Sequence, residues 1–245
     1  MTCWQPIIKN MAMPVLVATL VIVGCKDDES LNNAVVEMDA IRAEHRERML
    51  RQLDEQGHVE VDTSEAKRLL EVSEKAAQNA SPEVAAVLKK DAELLRALTT
   101  LVDEYGVLLN RFIEAGGIEA GGEEDSFPIR IDLLEALRDQ NDLLDRRGPQ
   151  LLGQMSSKPD GKTLKYMRDL RETDRRWMVA GIELLNIYHA NYGLWRLDAE
   201  GTIVFEELVP DTTIERAGQL IGIIQQATDE QTQLQREHIE HTSNP

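Results

Sequence analysis

The chain has 245 residues, with 27 Lys+Arg against 44 Asp+Glu, a formal net charge of −17 and a pI near 4.7. That balance argues against a nucleic-acid partner, because phosphate binding needs a basic footprint, and it gives no electrostatic attraction to an anionic bilayer. Aromatics at 4%, with 8 Pro and 15 Gly, are too few for a β-sandwich or barrel, while 42% hydrophobic residues suffice for a sizeable core.

The N-terminus carries a single charge, Lys9, before an apolar run from Met11 to Val23. The run is too short to cross a hydrocarbon core, which takes roughly 20 residues, and has the length of a secretory h-region. It closes on Ile22-Val23-Gly24-Cys25 and is followed at once by Lys26-Asp27-Asp28-Glu29. An aliphatic residue, a tolerated residue, a small residue and then cysteine resembles the lipobox of bacterial lipoproteins. The resemblance implies a diacylglycerol-modified Cys25, cleavage between Gly24 and Cys25, loss of residues 1–24, and a lipidated tether over 25–30. The membrane partner would then be reached through acyl chains on Cys25. Lys26, rather than Asp, in the position after the cysteine implies the outer membrane, facing the periplasm. Cys3 and Cys25 are the only cysteines, so a protein processed this way would keep no free thiol and no disulfide.

The remainder reads as helix almost throughout. A first helix over about 31–56 carries Val35, Met38, Ile41, His45, Met49 and Leu53 at spacings of three and four, and it is either a stalk or a packed arm. A second follows Asp62-Thr63-Ser64, with Ser64 read as a cap, and holds Leu69, Leu70 and Val72. Ser81-Pro82-Glu83 starts a third, whose stripe is Val84, Leu88, Ala92, Leu95, Leu98, Val102, Tyr105, Leu109 and Phe112. Residues 116–127, GGIEAGGEEDSF, read as a flexible, solvated Gly/Glu loop. A fourth helix is expected from Pro128 to Gly148-Pro149, and a fifth from about 162 to 192. The single β signal spans 194–205, where Asp198-x-x-Gly201 turns a hairpin. Thr212 and Glu215 form a capping box for a last helix that fades into a polar tail after Ile224.

Long amphipathic helices without a sheet must bury their stripes on one another. The expectation is an all-α, elongated antiparallel bundle of four to five long helices over residues 31–245, with one small β-hairpin near 194–205.

Candidate chemistry is thin. Ser64-x-x-Lys67 has the spacing of a serine nucleophile and its base, but Ser-Asp-Asn and Lys-Thr-Gly companions are missing. Gly161-Lys162-Thr163 lacks the upstream Gly of a phosphate loop, the position being Ser156. His238 and His241 sit three apart beside Glu237 and Glu240 in a segment expected to fray, Glu55-x-x-His58 occurs once only, and Glu119 to Asp125 lacks calcium-loop spacing. His45 reads as an interface histidine. The sequence therefore points to no catalytic residue, no metal and no cofactor. The aromatics Tyr188, Tyr192, Trp195 and Phe205 cluster around the hairpin and either cap the core or dock a partner, such as another envelope protein. The resulting expectation is a non-enzymatic, lipid-anchored structural or interaction module. A ligand-binding or sensory four-helix bundle in the periplasm is the alternative.

Overall fold

In the computed structural model, residues 29–56, 62–199 and 203–243 are described. Gly24, Cys25, Gly57, His58 and Gly201 lie outside them. The elements are α1 (Glu29–Gln56), α2 (Ser64–Asn79), α3 (Pro82–Glu114), α4 (Ser126–Gly153), α5 (Gly161–Ala190), β1 (Trp195–Leu197), β2 (Ile203–Phe205) and α6 (Asp211–Ser243). The fold is all-α with one small antiparallel hairpin. Each helix packs on the next in sequence, and α1 also meets α6.

The 33 residues of α3 make the spine, about 50 Å long at 1.5 Å per residue. Its stripe is buried from Leu88 to Phe112, with Val84 half-buried, as the spacing predicts. The C-terminal half of α3 joins α4, α5 and α6 around Phe112, Leu134, Leu137, Trp177, Leu184 and Ile224. Its N-terminal half joins α1, α2 and the end of α4 around Met38, Leu69, Leu95 and Leu152. A third, small cluster of Met49, Leu53 and Ile239 joins α1 to α6. The first helix is thus a packed arm. Because α1 runs antiparallel to α2, it begins beside the α2–α3 turn, at the opposite end of the rod from the hairpin.

Gly181 sets the α4–α5 distance. A Cβ there would lie 2.9 Å from Leu134 Cδ2 and 3.2 Å from Ile118 Cδ1. A side chain there would push the Leu134 and Ile118 methyl groups aside.

Several expectations at helix ends are corrected. Ser64 is the first residue of α2, not its cap: Asp62 supplies the acceptors, Oδ1 for the Ser64 N–H at 2.7 Å and Oδ2 for its hydroxyl at 2.8 Å. The fourth helix starts at Ser126 and continues through Pro149 to Gly153. The proline removes one intrahelical donor near the end, while Leu152 and Met155 just beyond it are buried in the core and hold the chain in place. The last helix begins at Asp211, so Thr212 sits within its first turn, not ahead of it. Its polar tail is packed: Thr228, Gln231, Gln235, His238 and Ile239 are all buried.

The loop after α3 is solvated on Glu119, Gly122, Glu123, Glu124 and Asp125. Ile118, Ala120 and Phe127 are buried. Gly116, Gly117 and Gly122 turn the chain with positive φ of 105°, 56° and 113°. The fully buried Arg130 fastens it, donating to the carbonyls of Glu119 at 2.6 Å and Gly121 at 2.9 Å and to Ser126 Oγ at 2.9 Å. Its guanidinium lies 4.1 Å over the Phe127 ring.

Candidate functional site

Three places gather side chains with chemistry. The first is the hairpin end. A two-stranded ribbon is marginal alone, so it needs a helix to lie on. Trp195 provides the joint: its Nε1 donates to the Tyr188 carbonyl at 2.9 Å, and its ring meets Tyr188, Tyr192 and Phe127 at 5.8–6.1 Å between centroids. Phe127, which the sequence reading did not single out, is the hub, with His189 stacked on it at 6.1 Å and Tyr192 edge-on at 6.1 Å.

The structure therefore brings together Tyr188, Tyr192 and Trp195, with Phe205 opposite Trp195 in the ladder. It does not leave them equally available. Tyr188 is buried and its hydroxyl is pushed above the usual phenol range by that burial, so it is a core residue and not a docking one. Trp195 and Phe205 are half-buried, and Tyr192 is exposed. The aromatics fasten the hairpin to α5. Besides Tyr192, the side chains left facing outward are the aliphatic Leu197, Val204 and Leu208.

The second place is a polar layer across the middle of the bundle. Asn141 Nδ2 donates to the Arg171 carbonyl at 3.0 Å, and Arg171 Nη1 returns a bond to Asn141 Oδ1 at 3.0 Å. Arg171 Nη2 lies 3.1 Å from Asp174 Oδ2, both side chains being buried. Gln231 Nε2 donates to Asp174 Oδ1 at 3.0 Å, and the guanidinium lies 5.5 Å from the Tyr105 ring centre. Burial pushes the Asp174 carboxyl above its ordinary value, against the pull of Arg171 and of the Trp177 and Tyr105 donors. Burial likewise lifts the Tyr105 and Tyr166 hydroxyls well above the usual phenol range. Below this layer Tyr166 stacks flat on His238, centroids 4.0 Å apart, and burial drives His238 down to about 4. The expected frayed His238/His241 pair is thus divided: His238 stacks in the interior, while His241 reaches Asp160 at 3.2 Å. An open groove of about 280 Å³ beside them is lined by Lys162, Lys165, Asp169 and Glu237. Lys165 pairs with Asp169, and Glu237 accepts from Gln233, so most of its charges already have partners.

The third place is the α1–α2 seam. His45 Nε2 is 3.3 Å from Glu65 Oε2, and both side chains are buried. Arg48 donates to His45 Nδ1 at 2.7 Å, which leaves the ring proton on Nε2, facing Glu65. Arg48 also bonds Ser64 Oγ at 3.2 Å and pairs with Asp62 at 2.6 Å. Burial raises Glu65 to about 8 and, with Arg48 beside it, lowers His45 to about 4. At neutral pH the seam holds a neutral acid against a neutral imidazole. His45 is the interface histidine the sequence predicts. Ser64 is committed to Asp62 and Arg48, with Lys67 drawn away to Asp103 at 3.0 Å. The serine–lysine spacing therefore has a structural explanation. At Gly161-Lys162-Thr163, Asp160 caps α5 by accepting from the Thr163 N–H at 2.6 Å.

Among the described residues no group of three His, Cys, Asp or Glu is placed to hold a metal ion, and no helix is long and apolar enough to cross a membrane. The lipidation and cleavage residues Cys25 and Gly24 lie outside the described part. Comparison with family profiles, with curated proteins and with solved structures returns no match.

Sequence reasoning missed the buried charges. The run RDLRETDRR is crowded with both charge signs, and no buried residue stands out from its composition. Stepping back from Trp177 by three and four, however, lands on Asp174, Thr173 and Leu170, which is the buried face. The helical phase carried the signal that composition hid.

Proposed function

We propose that this protein is a non-enzymatic interaction module of a bacterial envelope, held to the membrane by acyl chains on Cys25 and presenting the hairpin end to a partner. The pattern Ile22-Val23-Gly24-Cys25 supports the anchor, with the charged Lys26-Asp27-Asp28-Glu29 drawing the following chain into water. Two or three acyl chains at about 0.8 kcal/mol per buried CH₂ would make it durable. Lys26 favours the outer membrane, with the protein facing the periplasm. The observation that carries the interaction role is the placement of the two ends: α1 begins at one end of a spine about 50 Å long, and the hairpin lies at the other. A chain anchored ahead of α1 would hold the hairpin away from the bilayer. The polar layer and the His45–Glu65 seam are committed to internal partners and serve the scaffold.

The test is metabolic labelling with radioactive palmitate in a lipoprotein-processing bacterial host. Wild type should take up label and sediment with membranes, and Cys25→Ser should do neither. Unlabelled wild type, in a host whose other lipoproteins are labelled, would refute the anchor.

A further inference from the structure

We infer that the hairpin end docks an extended segment of a partner protein that is apolar and basic, added as a strand to the open edge of the ribbon. The inference rests on the reading of the protein as an interaction module and specifies the chemistry of what it binds.

Three observations lead there. The ribbon has two strands only, so each keeps an outer edge of backbone groups that no third strand pairs. Such an edge is the template for strand addition, in which the main chain supplies affinity and alternate side chains supply selectivity. The Trp195 joint holds this edge in place beforehand, which removes an ordering cost from binding.

Next, this end concentrates uncovered apolar surface. Of the twelve large apolar side chains that are exposed among the described residues, six lie here: Ile129, Tyr192, Leu197, Val204, Leu208 and Ile214. Leu208, directly after β2, is 79% exposed. Scattered single residues need no explanation, but half the total at one end of a rod marks a contact surface.

The charge then selects the partner. The Gly/Glu loop, the turn after β2 and the first turn of α6 carry eight exposed carboxylates, among them Glu123, Glu124, Glu206, Glu207 and Asp211, none ion-paired among the described residues. Against these eight stand three exposed cations close by in sequence, Arg111 in the last turn of α3, Arg196, and Arg216, which is taken up by Glu183. Along the helices several acids are paired: Asp142, Asp145 and Glu172 all meet Arg175, Glu183 meets Arg216, and Glu230 meets Arg176. An unneutralised acidic rim around apolar side chains repels anionic lipid and nucleic acid and attracts Lys- and Arg-bearing peptide.

The experiment titrates full-length protein, purified from membranes in detergent, with a synthetic peptide of alternating Lys and Val, following Trp fluorescence and chemical cross-linking. A Glu–Val peptide and a Lys–Gly peptide are the comparisons. The Lys–Val peptide should bind, cross-link to the hairpin and weaken as salt is raised, while the other two bind at least tenfold more weakly. Leu208→Ser with Ile214→Ser should weaken it about fivefold, and Glu206→Lys, Glu207→Lys and Asp211→Lys together at least tenfold. The triple reversal Glu71→Lys, Glu83→Lys and Glu93→Lys on α2 and α3 should leave binding unchanged. No binding of the Lys–Val peptide, or equal losses from the two triple reversals, overturns the inference. A native partner that is captured through the hairpin but presents an acidic surface also overturns it, while leaving the interaction-module reading intact.

Discussion

In the hairpin half of the rod, α3, α4, α5 and α6 meet through Phe112, Leu137, Trp177, Leu184 and Ile224. A few turns away the same four helices meet through Tyr105, Asn141, Arg171, Asp174 and Gln231. The first interface is non-directional: it gains by area removed from water and accepts other side chains of similar volume. The second is directional, with Asp174 accepting from one helix what Arg171 gives from its own, and only one axial register satisfies it. A buried ion pair contributes little net stability, yet breaking it leaves a charge in low dielectric. Stability in this molecule is concentrated in the aliphatic half and helix register in the polar layer.

Substitutions that treat the halves differently sharpen this contrast. The largest effects should come from Trp177→Ala and Asp174→Ala, each costing about 3–5 kcal/mol by denaturant unfolding, the first by cavity and the second by stranding Arg171. The two then diverge. Arg171→Met combined with Asp174→Leu should restore stability to within about 1 kcal/mol of wild type, whereas no partner substitution repairs Trp177→Ala so cheaply. If the double variant is as unstable as the single one, the polar layer is a stabilising element in its own right.

The α1–α2 seam should respond to pH. Glu65 is raised from near 4.5 to about 8, so the stability it contributes is complete below 4.5 and is lost as pH rises through about 8. His45 is lowered from 6.5 to about 4, so its contribution is complete above 6.5 and is lost as pH falls through about 4. Protection of α1 from hydrogen exchange, relative to the intrinsic rate at each pH, should accordingly be greatest between about 4.5 and 6.5 and decline on both sides. Glu65→Gln should abolish the alkaline limb and keep the acid one. Arg42, Arg46, Arg48 and Asp62 face this pair; the three arginines temper the alkaline loss and the Asp62 carboxylate adds to it.

Arg130→Met should cost about 1–3 kcal/mol, since it leaves the Glu119 and Gly121 carbonyls without their donor. Its signature is local: exchange should rise in residues 116–125, with α6 unaffected. Asp160→Ala is the smallest change, about 1 kcal/mol, from loss of the α5 cap. A thermal melt with and without the substitution measures it.

Periodicity made the scaffold legible. The 3-4 spacing from Leu88 to Phe112 predicts the buried face of α3, and Met38, Ile41, His45, Met49 and Leu53 do the same for α1. The hairpin at 194–205 followed from the alternation of Trp195, Leu197, Ile203 and Phe205. Composition misled wherever polar residues are buried. The α6 tail looks solvated because Gln231, Gln235 and His238 are polar, yet they keep the phase of Leu220, Ile224 and Ala227. The loop at 116–127 looks free because its Glu residues are, while Ile118, Ala120 and Arg130, just past its end, fasten it. The hairpin aromatics stand out as a cluster in the sequence, but their role depends on Phe127, far upstream, which local pattern does not connect to them.

The central claim is that one end of the rod is held at a membrane and the other projects from it. It is tested most directly by reconstituting the lipidated protein, with a dye on Val36→Cys or on Val204→Cys, into vesicles carrying an energy-transfer acceptor in their headgroups. The dye at position 36 should be strongly quenched and the dye at position 204 should keep most of its emission. Equal quenching at the two positions, or stronger quenching at 204, would contradict the account.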